Sequence, residues 1–232
     1  MRILAVETST LAGGAALLDG ERVVGEYTLN IRATYSERLM AAVDHLLRLS
    51  GWQLEQLEGL AVAIGPGSFT GLRIGISAVK GLALALGIPV AAVPTLDALA
   101  ATLPFAAHPV CPVLDAKKGE VYASLYHWSG DAMSRDWEYL AVAPDALCDR
   151  LRGPVIFVGD AVETLGGLLR ARLGDNARFA PAGRRLPSPG CVGALGHALL
   201  LAGQTVDASA LTPLYLRPSE AELKRRRALL VS

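Results

Sequence analysis

The run Gly65-Pro66-Gly67-Ser68-Phe69-Thr70-Gly71-Leu72-Arg73-Ile74-Gly75-Ile76-Ser77-Ala78-Val79-Lys80-Gly81-Leu82-Ala83 decides how this chain is read. Residues 60–64 before it are a short, continuously apolar strand, and Ser68 or Thr70 is placed to cap a helix reaching about Leu86. Gly87 and Pro89 end that helix, and residues 90–93 form another buried strand. Two readings of the glycines compete. Gly65 and Gly67 could turn the chain so that backbone N–H groups at the helix start face an anion. Alternatively, Gly71, Gly75, Ala78 and Gly81 put small residues on one helical side, where another helix can approach closely. A helical glycine costs roughly 1 kcal/mol relative to alanine, and this helix carries three, so the packing reading is preferred.

The same alternation extends outward. Residues 2–7 read as a buried strand, residues 13–18 as a second, Asp19-Gly20 as a hairpin turn and residues 23–29 as the returning third. From Tyr35 the period changes: Leu39, Val43, Leu46, Leu47 and Ser50 share one helical face, and Gly51 stops that helix. Thr34 and Glu37 have the spacing of a capping box. Residues 95–103 are a short helix. The second half repeats the opening: strands at 110–114, 120–126, 137–142 and 155–158, helices at 162–172 and 191–201, and a Pro/Gly/Arg linker at 181–189. Asp115 ends its strand as Glu7 ends the first. Proline-rich punctuation at residues 104–112 divides the chain into lobes 1–105 and 106–232, a mixed α/β pattern.

Composition narrows the function classes. The 232 residues carry 22 Lys+Arg and 22 Asp+Glu, so the chain has no field of its own with which to grip nucleic acid. Hydrophobic residues make up 52%, which excludes a disordered tail. The three cysteines, Cys111, Cys148 and Cys191, fit neither a disulfide framework nor a zinc site, and a reducing cytoplasm is expected. Mean hydropathy is +0.37, yet Lys80, Gly87 and Pro89 interrupt the most apolar stretch, residues 74–93, so no membrane span is expected.

Four segments together carry a resemblance: Glu7-Thr8-Ser9-Thr10, the glycine-rich run above, Leu114-Asp115-Ala116-Lys117-Lys118-Gly119-Glu120-Val121-Tyr122, and Pro213-Leu214-Tyr215-Leu216-Arg217. In order and spacing they resemble the TsaB (YeaZ) family over nearly the whole chain. The resemblance implies an actin/hexokinase/Hsp70 ATPase-like (ASKHA) fold of two RNase H-like lobes. It also implies a non-catalytic scaffold that pairs with TsaD, and works with TsaE, in threonylcarbamoyl transfer to adenosine 37 of tRNA. On that reading tRNA is met only through the complex, no cofactor is held, and the chain alone forms a homodimer through an overlapping surface. Residues 35–49 and 70–86 would supply that surface, with Leu39, Met40, Val43, Gly71, Arg73, Ile74, Gly75, Ala78 and Leu82 at the interface. Leucine at Gly75 would then break partner binding and leave the monomer folded.

Against the catalytic relative TsaD, the expected His-x-x-x-His metal pair is replaced by Thr95 and Leu99, neither an imidazole ligand. His45, His108, His127 and His197 are scattered without ligand spacing. Glu7, with Thr8 and Ser9 after it, Asp115 and the lone Gly159 mark a degenerate nucleotide site: Lys117 and Lys118 stand where the fold's phosphotransferases have a small Gly-Gly turn. The alternative function is a small ATPase or phosphotransferase with Glu7 and Asp115 around Mg-ATP. A glycoprotease, the third reading, lacks both the metal pair and a Ser/His/Asp spacing. The basic run Lys224-Arg225-Arg226-Arg227 reads as a solvated tail.

Overall fold

Strands β1 (Arg2–Glu7), β2 (Ala12–Asp19), β3 (Arg22–Asn30), β4 (Gly59–Gly65) and β5 (Val90–Pro94) lie side by side in the order β3-β2-β1-β4-β5 in the computed structural model, which describes residues 1–217. The first three form an antiparallel meander, and β4 and β5 add parallel to β1. Leu4, Val6, Ala15 and Leu17 enter one core cluster, while Ile3, Ala5, Ala16 and Leu18 enter another on the opposite face. That strict period of two marks a sheet covered on both sides.

Helices α1 (Tyr35–Ser50) and α2 (Phe69–Leu86) cover the first face, burying Leu39, Val43, Leu46, Ile76, Val79 and Ala83. Gly51 closes α1 in the left-handed region (φ 71°), a conformation open to glycine at little steric cost. Ser68 starts α2, its hydroxyl accepting the Gly71 N–H at 3.2 Å. The capping box at α1 does not form: the Thr34 side chain makes no cap hydrogen bond. Arg38 instead ties the start of α1 to the sheet by donating to the carbonyls of Leu29 and Leu11.

The second sheet repeats the first. Its strands are β6 (Val110–Asp115), β7 (Val121–Ala123), β8 (Tyr126–Ser129), β9 (Ala132–Arg135), β10 (Leu140–Val142), β11 (Val155–Val158) and β12 (Ala177–Phe179). They run β10-β7-β6-β11-β12, with β6 in the place of β1 and β11 and β12 parallel to it. Helices α4 (Pro144–Arg150) and α5 (Ala161–Leu173) cover one face as α1 and α2 do in the first lobe. Two RNase H-like sheets with matched order make the actin/hexokinase/Hsp70-type fold that the resemblance implied. The strand expected at 120–126 is broken between Ala123 and Tyr126, where the Ser124 hydroxyl donates to the Trp137 carbonyl at 2.7 Å. The β8–β9 hairpin, α4 and β12 had no counterpart in the sequence reading.

The remaining two helices cross between the chain halves. Helix α6 (Pro189–Leu201) lies on the free face of the first sheet, adding Val192 and Leu200 to the cluster of Ile3, Ala5 and Leu18. Gly193 and Gly196 come so close that a Cβ on them would overlap Leu18 and Ala61. Helix α3 (Thr95–Ala100) sends Leu96, Leu99 and Ala100 into the second lobe's core with Val110 and Leu114. There Asp97 accepts the hydroxyls of Tyr126 (2.6 Å) and Tyr139 (2.8 Å). A division at residue 105 thus follows chain order, while in space α6 is part of the first lobe's core. Replacing Gly196 with valine forces side-chain volume into that contact, and urea unfolding is expected to show a loss of about 1–3 kcal/mol.

Candidate functional site

Glu7 closes β1, and there the chain turns sharply enough that Glu7, Thr8, Ser9 and Thr10 are all buried. The Ser9 N–H donates to Glu7 Oε1 at 2.5 Å, but Glu7 Oε2, Thr8 Oγ1 and Ser9 Oγ have no partner among the described residues. Burial pushes the Glu7 carboxyl up to about 7, against the opposing pull of the Ser9 N–H. A carboxyl so enclosed resists holding the full negative charge that Mg-ATP chemistry asks of it.

Helix α2 seals this turn. A Cβ on Gly71 would strike the Thr8 carbonyl, one on Gly75 the Thr8 hydroxyl, and one on Gly67 the Ser9 carbonyl. The Ser68 N–H donates to that same Ser9 carbonyl at 2.7 Å. The close-packing reading of the glycines therefore holds, but the neighbour is this chain's own β1 turn rather than a partner helix. Gly71 and Gly75 are buried, and so are Leu39 and Val43, which belong to the core. Of the expected interface set, Met40 (46% exposed) and Arg73 are exposed, and Ile74, Ala78 and Leu82 are half-buried at the margin of the α1–α2 cluster. Gly81 points to open space. Leu84, 74% exposed, was overlooked although it lies on the same helix.

The fourth signature segment joins this surface to the second lobe. The Leu214 N–H donates to the Ile64 carbonyl at 2.7 Å, at the end of β4. Tyr215 stacks on Phe69 with ring centroids 4.4 Å apart and 19° between planes. Leu216 packs against the second-lobe cluster, and Arg217 pairs with Glu120 at 2.6 Å while donating to the Ala116 carbonyl. Neither Phe69 nor Tyr215 stood out in the sequence as a contact, because 146 positions separate them along the chain.

At the matching edge of the second lobe, Asp115 is half-exposed and paired with Lys117 at 2.7 Å. Burial works against its charge, yet the hydrogen bonds from Lys117 prevail and hold its carboxyl below the usual range. Lys117, Lys118 and Gly119 all have positive φ, a costly conformation for the two lysines. The Asp115 N–H donates to Asp160 Oδ1 at 3.1 Å, and Asp160 itself is raised by burial. Gly159 (φ 121°) sits where a Cβ would strike the Val113 carbonyl, so its glycine serves strand contact. A cleft of about 280 Å³ opens beside Asp115, lined by Glu120, Val121, Pro144, Ala161 and Thr164. No hydrogen bond or ion pair joins Glu7 to Asp115 among the described residues: the first is enclosed and the second faces a lysine.

Thr95 and Leu99 are fully buried in α3. His127 pairs with Asp136 at 2.6 Å, His45 lies edge-on to Tyr27, and His197 is buried in α6. Among the described residues no group of three or more His, Cys, Asp or Glu side chains is placed to hold a metal ion. Residues 224–227 lie outside the described part of the chain.

A family model described as "TsaD: tRNA N6-adenosine threonylcarbamoyltransferase" matches residues 23–224. The tRNA threonylcarbamoyladenosine biosynthesis protein TsaB of Bacillus subtilis is 33% identical, with 97% of each chain aligned. The Escherichia coli protein of the same name is also 33% identical, over 95% of this chain and 96% of its own. The solved structure of YeaZ from Pseudomonas aeruginosa superposes with a TM-score of 0.76 at 28% identity, covering 93% of this chain and 99% of that one.

Two outcomes are expected from the β1 turn. Because the Glu7 carboxyl titrates near 7 when folded and near 4.5 when unfolded, its protonation stabilises the fold fully below 4.5. That contribution is lost as pH rises to about 7, roughly 3 kcal/mol in all. Unfolding titrations across that window should show the decline in the wild type and a flatter profile for Glu7→Gln. Leucine at Gly75 should destabilise the monomer by more than about 2 kcal/mol in thermal or urea unfolding, reversing the expectation of a folded, binding-deficient protein.

Proposed function

From the premise that this chain belongs to the TsaB family and takes part in tRNA threonylcarbamoyladenosine biosynthesis, we propose that it does so as a non-catalytic partner subunit of TsaD. The observation that carries this reading is the outer face of α1 and α2. Met40 on α1 and Leu84 on α2 stand exposed, and Ile74, Ala78 and Leu82 of α2 are half-exposed. Exposed apolar side chains on two neighbouring helices are what a helix-on-helix interface can use. On this reading the chain alone forms a homodimer on an overlapping surface, with burial on the scale of a standard interface, roughly 1,600 Å² in total. TsaD and TsaE supply the chemistry in the cytoplasm, and tRNA reaches this subunit through the complex.

The enclosed Glu7 and the lysine-paired Asp115 support a subunit that holds no cofactor of its own. They weigh against the small-ATPase alternative, which needs both carboxylates charged and open to a metal–nucleotide. Protease chemistry finds no support in the scattered histidines.

The test is reconstitution of threonylcarbamoyl transfer to unmodified tRNA from TsaD, TsaE and threonylcarbamoyl-AMP, with and without this chain. Modification should require it, while the chain alone, given ATP, should show no turnover. Met40→Glu places a charge in the proposed interface at an exposed position outside the core cluster; it should lower TsaD binding and modification by about tenfold or more with unchanged thermal stability. Full activity without the chain, or with Met40→Glu, would contradict the proposal.

A further inference from the structure

Arg73 is exposed at the start of α2, yet its guanidinium is held in place. Its Nε donates to the Tyr215 hydroxyl at 2.9 Å. The guanidinium carbon lies 5.8 Å from the Tyr215 ring centroid and 6.0 Å from that of Phe69. The two rings occupy each other's faces in the 4.4 Å stack, and the Leu214 N–H fixes the segment carrying Tyr215 to β4. The Nη donors have no hydrogen-bond or ion-pair partner among the described residues. A planar fork with its orientation already set loses little entropy when it takes up an acceptor.

We propose that Arg73, oriented by Tyr215 and Phe69, is the charged anchor of the partner surface and takes a carboxylate from the docked protein. This rests on the partner-subunit reading above and names the polar contact that the apolar α1–α2 face needs for register. A carboxylate matches the fork in two parallel N–H···O bonds. A phosphate of RNA would meet the same charge, but the balanced charge of this chain, 22 Lys+Arg against 22 Asp+Glu, gives it no field with which to gather nucleic acid. Arg73 is the contact residue; Tyr215 and Phe69 are positioning residues.

The test is calorimetric titration of this chain with TsaD from the same organism at low and high salt. Arg73→Gln should weaken binding by about tenfold or more and remove most of its salt dependence. Arg73→Lys should keep the salt dependence yet still bind severalfold more weakly, since an ammonium cannot form the planar pair. Tyr215→Phe keeps the ring stack and loses the hydroxyl, and should fall between wild type and Arg73→Gln. Unchanged affinity in Arg73→Gln, alongside wild-type binding, overturns the anchor and leaves the partner-subunit reading standing. Wild-type affinity in Arg73→Lys overturns the oriented fork. Weakened retention of unmodified tRNA by Arg73→Gln with intact TsaD binding assigns the guanidinium to phosphate and overturns the proposal. A wild-type chain that fails to bind TsaD overturns the partner-subunit reading itself, and the anchor with it.

Discussion

The contact on which this structure turns is the approach of helix α2 to the end of β1. Gly67, Gly71 and Gly75 lie against the backbone of Ser9, the carbonyl of Thr8 and the hydroxyl of Thr8, with no room for a single methyl group. Three consequences follow from it. The Glu7 carboxyl is enclosed, and burial moves it toward neutrality. Helix α2 is fixed in rotation, which sends Ile76, Val79 and Ala83 into the sheet and leaves Arg73, Gly81 and Leu84 outside. The helix start is also brought under Tyr215, which orders the Pro213–Arg217 segment across to the second lobe.

The glycine cost that a free helix would carry is offset by closeness to the β1 turn. The second lobe plays a supporting part. Its sheet copies the first in strand order, but Lys117 and Lys118 crowd the loop after Asp115, and Arg217 holds that loop from behind. Helix α3 carries Leu96 and Leu99 from the first half into the second lobe's core, and α6 carries Val192 and Leu200 from the second half into the first.

Much of the first lobe was legible because its elements are long and strongly periodic. Helix α1 and its stop at Gly51, the β2–β3 hairpin and the cap at Ser68 all follow from local pattern. The second lobe was less legible: β7, β10 and β12 are three residues each, too short to show a period. The direction in which the α2 glycines face could not be read locally, since Gly71 and Gly75 share a helical side with residues that face the core and with others at its margin. Only the position of Thr8, more than sixty residues earlier, decides it. The same holds for Arg73, whose ring partners come from both ends of the sequence. Thr34 shows the opposite failure: a good local motif does not form, and the Thr34 hydroxyl accepts from the Ser36 hydroxyl instead.

The central claim is that the outer face of α1 and α2 is a docking surface while their inner face is committed to the fold. Amide hydrogen exchange of this chain, free and mixed with TsaD, tests it most directly. The account predicts that added protection on mixing falls on the α1 and α2 segments, with the strands of the second sheet unchanged. Protection confined to the loop around Lys117, or absent from α2, would contradict it.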